Sequence, residues 1–273
     1  VACIVSIGGW SFAAARRAQA KDATTLRVCA DPNNLPFSNE REQGFENAIA
    51  RLIAHDQGAR LAYRWWPQRR GFVRNTLKAG DCDLIMGVPT SFDMTSVTRP
   101  YYRSTYVFVT RTDRHLDVRS FDDSVLRRLR VGVHMMGDDY ANSPAVIALA
   151  KRGLAKQLVP YMIYGDYSHA NPPSNLVEAV KSGAVDVAVV WGPMAGYFAR
   201  LSQTPLTLAP VSPAIELPFL PFVYDIGIGV RHGDTTRRNM LDGELLRNRD
   251  TIARILASFN VPIVSATGMR AHR

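Results

Sequence analysis

The chain of 273 residues is 47% apolar, enough to bury a sizeable core in one large or two ordinary domains and too much for a disordered protein. Its 33 Lys and Arg against 24 Asp and Glu give a formal charge of +9, which favours acidic partners without naming one and is equally the background of an Arg-rich proteome. The six histidines are scattered, with no His-x-His, His-Glu-x-x-His, Gly-x-Ser-x-Gly or Cys-x-x-Cys, so the common metalloprotease, serine-hydrolase and dithiol signatures are excluded.

The opening stretch "VACIVSIGGWSFAAARRAQA" is apolar from Val1 to Ala15 and ends on Ala18-Gln19-Ala20. It is too short to span a bilayer and fits a secretory signal over residues 1–20, truncated at its start, with the mature chain beginning near Lys21. A buried N-terminal helix is the competing reading. Loss of the segment removes Arg16 and Arg17, and with them two positive charges. Of the three cysteines, Cys3 leaves with it, and Cys29 and Cys82 remain in an oxidising compartment. A bridge between them and two buried free thiols both stay open. Cys29 falls late in one predicted strand and Cys82 just before another, and parallel neighbours would set them at opposite ends of the sheet.

A strand is predicted at Leu26–Ala30, then an amphipathic helix "GFENAIARLIAHDQG" with Phe45, Ile49, Leu52 and Ile53 on one face, ending at Gly58. The strand "LAYRWW", a helix over residues 71–79 and the apolar strand "LIMGV" follow. Alternation of this kind gives parallel β-α-β units. Within "LAYRWW", Leu61, Tyr63 and Trp65 share one face and Arg64 and Trp66 the other, which predicts at least one Trp in the core beneath a helix.

"LKAGDCDLIMGVP" and "VKSGAVDVAVVWGP" repeat one pattern, with Lys78, Gly80 and Asp83 matched by Lys181, Gly183 and Asp186 at a spacing of 103 residues. In each, the Gly ends a helix in a left-handed cap and the Asp opens a buried strand, which implies two similar domains. The second unit starts at "LRVGVH" and runs through a helix capped by Ser143-Pro144, the strand "LVPYMIYG" and the helix "NLVEAVKSG" to "TPLTLAP". The strand "FVYDIGIGVR" and a long helical pattern from Thr235 to Phe259 then return to the first unit, so the chain crosses between units near "STYVFVTR" and "PFLPFVYD".

In order, "LRVCADPNNLPFSNE", "GFENAIA", "WWPQRRGFVRNTL", "CDLIMGVP", "RPYYRSTYVFVTR", "YGDY", "NPP" and "VWGPMAGYF" resemble the periplasmic solute-binding-like proteins associated with quinoprotein alcohol dehydrogenases, the MxaJ and XoxJ group. The likeness runs from about Leu26 to Pro262; Arg41-Glu42-Gln43 departs from it in a surface turn only. It implies an α/β, type II periplasmic-binding fold of two lobes joined by two crossing strands with a cleft between them. Residues 21–109 with 221–273 would form lobe one and 110–220 lobe two. It further implies a periplasmic, non-enzymatic monomer that transiently assists a methanol dehydrogenase carrying pyrroloquinoline quinone and calcium or a lanthanide, with no cofactor or metal of its own held stably.

In an open α/β fold the loops after the carboxyl ends of the strands form the binding crevice, here "DPNNLPF", "WPQRRGF", "PTSFDMTS", "GDDYANSP" and "WGPM". Asp31, Asn33, Asn34, Trp66, Arg69, Arg70, Phe92, Asp93, Asp138, Asp139, Asn142 and Trp191 are the cleft or partner-binding candidates. Amino-acid binders of this fold carry an Arg where Met94 stands and an Asp where Trp191-Gly192 stand, so both recognition charges are missing. Trp66, Phe92 and Trp191 would instead floor a site for an apolar or planar guest, with Asn33, Asn34 and Arg69 as polar contacts; a solute receptor of an uptake system is the alternative function. Asp138 and Asp139 disfavour an anion at the helix start beside them and, as two carboxylates alone, make a weak cation site.

His134 and His169, near strand ends, are the acid–base candidates of an enzymatic reading, each outweighed by a structural histidine. Nucleic-acid binding needs stacking aromatics and a basic track over several elements, and only "YRWWPQRR" offers both.

Overall fold

The computed structural model describes residues 24–136, 141–164, 167–168, 170–265 and 268–269. The expected signal segment, residues 1–20, lies outside the described residues. Nine main strands, β1 (Thr25–Ala30), β2 (Arg60–Trp65), β3 (Leu84–Pro89), β4 (Tyr102–Arg111), β5 (Val131–Met136), β6 (Leu158–Met162), β7 (Val187–Trp191), β8 (Leu206–Pro210) and β9 (Val223–Val230), alternate with helices α1 (Phe45–Asp56), α2 (Phe72–Asn75), α3 (Pro144–Lys151), α4 (Asn175–Lys181), α5 (Gly192–Leu201), α6 (Thr235–Arg247) and α7 (Arg249–Ser258).

The strands join in the order β6-β5-β7-β4-β9-β3-β1-β2, with β8 on β4. β1 runs parallel to β2 and β3, and β5 parallel to β6 and β7. The long strand β4 serves both halves. Tyr102–Thr105 pairs antiparallel with β9, while residues 106–110 pair with β7 and residues 107–111 with β8. β9 continues antiparallel along β3. Each half therefore has its second strand outermost, then its first, its third, and an antiparallel strand arriving from the other side of the crossover.

The internal repeat shows its physical basis here. Arg27 N–H donates to Asp83 Oδ2 at 3.0 Å and Arg130 N–H to Asp186 Oδ2 at 2.9 Å. The two guanidinium groups then reach the carbonyls of Gly80 and Gly183, at 3.0 and 2.7 Å. Gly80 and Gly183 hold φ of +83° and +73°, left-handed values that glycine adopts without a Cβ clash. Burial opposes ionisation of Asp83, but the hydrogen bonds from Arg27 outweigh it and hold the carboxyl below the usual carboxylate range. Each half thus ties its first strand to the turn before its third by one Arg–Asp clasp.

One buried apolar cluster runs from Phe45, Ile49 and Ile53 of α1 through Ile226 and Ile228 of β9 to Val177 and Val180 of α4 and Phe198 of α5. Each such side chain withdrawn from water contributes roughly 1.5–3 kcal/mol. A second cluster in the other half gathers Phe108, Phe121, Leu126, Leu149 and Phe222. A third and smaller one surrounds Cys29 and Cys82 with Val73, Leu77, Ile85 and Val88, and those cysteines are bridged, with Cα atoms 5.6 Å apart. The opposite-ends argument against a bridge fails because the chain through Asp81 and Cys82 does not extend β3 backwards. Cys82 is brought instead to Cys29 within the cluster of Val73, Leu77, Ile85 and Val88.

Three elements differ from the periodicity. The helix expected over residues 71–79 stops at Asn75, because the Thr76 hydroxyl donates to the Phe72 carbonyl at 2.6 Å and the backbone leaves helical angles at Thr76. The helical pattern from Thr235 to Phe259 is two helices, broken at Asn248, whose amide donates to Asp56 and to the Glu244 carbonyl. Ser143 stands at the start of α3 before Pro144, yet its hydroxyl makes no cap. Among the described residues no helix is long and apolar enough to cross a membrane.

Candidate functional site

The loops after the carboxyl ends of β1 and β2 are bonded to each other and reach the other half through Asn33 and Asn171. Asp31, directly after β1, is only 3% exposed. Its Oδ1 accepts the Asn33 N–H at 2.8 Å and its Oδ2 the Gln68 N–H at 2.6 Å, which locks the loop after β1 to the loop after β2. The Asn34 amide adds a 2.8 Å bond to Gln68 Oε1. Burial raises the Asp31 carboxyl above the usual range, and the bonds from Gln68, Asn33 and Tyr167 recover part of that shift.

Asn33 reaches across to the other half, its Oδ1 accepting the Asn171 N–H at 3.0 Å. Tyr167 comes from the same side and its hydroxyl is driven well above the ordinary range by burial and then by Asp31, with Arg69 working against them. Asp31, Asn33, Asn34 and the mouth residue Arg69 therefore sit together, facing Tyr167 and Asn171. These bonds form a polar latch between the halves on the loops that the sequence offers as cleft walls.

The other candidates are dispersed. Trp66 is half-buried under the Arg64 guanidinium, 5.5 Å from its ring centre, and Tyr63 stacks on Trp65 at 4.5 Å, so the face alternation holds. Neither Trp is core, however: both are only half-buried at the end of β2, which closes the strand order among the described residues. Arg69 and Arg70 are exposed in the turn before α2. Phe92 and Met94 fold back onto the disulfide cluster, and the carbonyl of exposed Asp93 accepts the His232 Nε2–H at 2.6 Å.

Trp191 packs at 5.3 Å from Tyr106 and 5.8 Å from Tyr224, one on each crossing strand. The aromatic floor of Trp66, Phe92 and Trp191 is thus not assembled: each ring is taken by a different neighbour. The backbone of Asn142 pairs with Met135 of β5. Asp138, Asp139 and His169 lie outside the described residues. His134 is 3% exposed, stacked on Tyr106 at 6.1 Å and edge-on to Tyr164, and its Nδ1 has no partner. Burial lowers its pKa to about 4, so it is neutral at pH 7, and among the described residues no carboxylate orients it as a general base.

One residue escaped the sequence reading. Glu46, in the first turn of α1, is 9% exposed, and burial alone lifts its carboxyl to about pKa 8. It lies against Gly87 so closely that a Cβ there would overlap Oε1, and its field raises Tyr101, Tyr102 and Tyr164 further above the range that burial already sets for them. No hydrogen bond or cation serves its carboxyl among the described residues. An acid in a first turn ordinarily reads as a solvated complement to the helix dipole. The signal against that was its place beside Phe45 at the buried end of the helix.

No protein-family model matches the chain. Protein MoxJ of Methylorubrum extorquens AM1 is 30% identical over 265 residues, spanning 92% of this chain and 85% of that one. Among solved structures, the periplasmic binding protein XoxJ from Methylobacterium extorquens AM1 is 31% identical with a TM-score of 0.72, over 88% of this chain and 99% of that one. MxaJ from Methlophaga aminisulfidivorans MPT superposes with a TM-score of 0.75 over 88% of this chain and 100% of that one; at 23% identity it speaks for the fold alone.

Proposed function

We propose that this chain, which belongs to the MxaJ/XoxJ family of periplasmic-binding-like proteins and has their type II fold, is a non-catalytic periplasmic accessory protein. Its partner would be a quinoprotein methanol dehydrogenase, contacted transiently during maturation or activation. Pyrroloquinoline quinone and calcium or a lanthanide belong to that partner in this reading. The observation that carries it is kinship over nearly the whole described chain. The geometry of the binding face supports it: the two recognition charges of amino-acid binders are absent, and Asp31 and Asn33 are engaged in the Asp31–Gln68 and Asn33–Asn171 bonds.

Deletion of the gene tests the role. A deletion strain should accumulate dehydrogenase deficient in activity or in cofactor and metal; a strain with fully loaded, fully active enzyme would sink the proposal. The receptor alternative is separated by thermal unfolding against amino acids, organic acids, pyrroloquinoline quinone and metal ions, where a ligand at 100 times its Kd would add about 2.7 kcal/mol and no shift is expected here.

Arg69→Ala combined with Arg70→Ala should change stability by no more than about 0.5 kcal/mol, since both lie on the exposed turn after β2. The same double variant should restore dehydrogenase activity in the deletion strain less well than the parent. Equal restoration would remove this mouth from the interaction.

A further inference from the structure

The hairpin between the halves carries the most exposed large apolar groups described. Leu217 is 82% exposed and Phe219 91%, with Ile215 beside them at 53%. Two short strands, Ile215–Glu216 and Leu220–Pro221, frame this tip. Its base is fixed. Phe222 is fully buried with its ring 4.9 Å from that of Phe121, Phe222 N–H donates to the Ala214 carbonyl at 2.9 Å, and Ser212 N–H donates to the Arg119 carbonyl at 2.8 Å. Glu216 is held by Arg152 at 2.8 Å, and Arg152 is held in turn by Asp122 at 2.7 Å. Pro213, Pro218 and Pro221 each fix a backbone φ. Two large apolar side chains are thus presented on a braced support, where a slack loop would have folded them against the surface.

The charge around the hairpin says what covers it. α3 packs beside its second strand, and the turn at Ala155–Gln157 after α3 touches the turn at Ser124–Arg128. These segments carry Arg127, Arg128, Lys151 and Lys156, all exposed and without an ion pair among the described residues. Of the nearby carboxylates, Asp117 is paired with Arg119, and Asp122 and Glu216 with Arg152, while Asp123 accepts the backbone N–H groups of Arg119 and Ser120 and is one negative charge against four positive ones. The free charge beside the apolar tip is therefore positive. Two copies meeting through this surface would face like charges, whereas an acidic partner with an apolar recess would be steered towards it.

We propose that the hairpin 212–221 is the docking element for an acidic protein partner, its Leu217 and Phe219 entering an apolar recess while Arg127, Arg128, Lys151 and Lys156 meet carboxylates around it. The partner is the dehydrogenase of the accessory role, on which this inference rests.

Binding of the full chain to the purified dehydrogenase, by sedimentation velocity and calorimetry, tests it. Leu217→Ser with Phe219→Ser should keep the parent's thermal unfolding, because both side chains are in solvent, and should weaken binding by at least about 30-fold. Lys151→Glu with Arg128→Glu should slow association and flatten its dependence on salt. If the parent binds and the hairpin variant binds equally well, the docking element is wrong while the accessory role stands. A parent that fails to bind overturns both. Loss of a parent homodimer in the hairpin variant, or loss of its adherence to phosphatidylglycerol vesicles, with dehydrogenase binding unchanged, would make the occupant a second copy or a lipid surface and overturn the proposal.

Discussion

Replacing Glu46 by Gln should stabilise the protein at pH 7.5 by on the order of 3–4 kcal/mol, an unusual sign for a substitution at a buried position. The folded carboxyl has its pKa lifted from 4.5 to about 8 by burial, with no cation to offset it. Below about pH 4.5 the carboxyl is protonated whether folded or unfolded, and it imposes no penalty. As the pH rises towards 8, the unfolded chain gives up the proton and the folded chain keeps it, so stability falls by up to 1.36 kcal/mol per pH unit. Above 8 the full penalty is present. Glu46→Gln removes the ionisation and keeps the shape. Urea unfolding of both proteins at pH 5 and pH 8 should show the parent losing stability across that window and the variant losing much less. Parallel profiles would show that the carboxyl finds a partner when folded. The penalty lies next to Tyr101, Tyr102 and Tyr164, where an added cation or hydrogen-bond donor would meet an acid with no partner among the described residues.

Loss of the Cys29–Cys82 bridge should act in the opposite direction. The bridge closes a loop with a sequence separation of 53, for which the chain-entropy estimate gives about 4 kcal/mol. For a chain of this size that corresponds to a fall in Tm of roughly 8–15 °C. Cys29→Ser with Cys82→Ser should show it, and so should the parent in reductant. The hydroxyls would also sit in the dry cluster of Val73, Leu77, Ile85 and Val88, so Cys29→Ala with Cys82→Ala, which adds no polar group, separates the two effects. An unchanged Tm in both double variants would show that the cluster holds this end of β1 without the bridge.

The alternation of strand and helix and the repeat at Gly80/Asp83 and Gly183/Asp186 were legible because they depend on local rules: a helix stop, a buried strand, a return. The Arg27 and Arg130 clasps that make the repeat mechanical were not, since each joins residues more than 50 positions apart and nothing in a single segment marks the pairing. Trp65 and Trp66 were placed on the correct faces of β2, but whether a face is covered depends on strand order, which periodicity does not carry. Phe92 failed as a cleft residue for a related reason. A loop after a strand can turn towards the crevice or back over the sheet, and here Phe92 and Met94 pack against the disulfide cluster. The loop residues Asp31 and Asn33 came out at the junction of the halves, yet their partners Gln68, Tyr167 and Asn171 emerge only from the tertiary arrangement. The hairpin tip reads in sequence as an ordinary apolar run, and only the fold leaves it in solvent.

The sharing of β4 and the late arrival of β9 set a timetable for the newly made chain. β3 cannot be paired along its outer edge until Val223–Val230 has been made, more than 130 residues behind it. During that interval an apolar edge strand stands open, a template for the wrong partner. The intervening half has no such wait, because β5, β6, β7 and β8 emerge in succession and β4 precedes them all. Folding should therefore complete from the middle of the chain outwards, and the first-made segment is the one that most needs a holding chaperone.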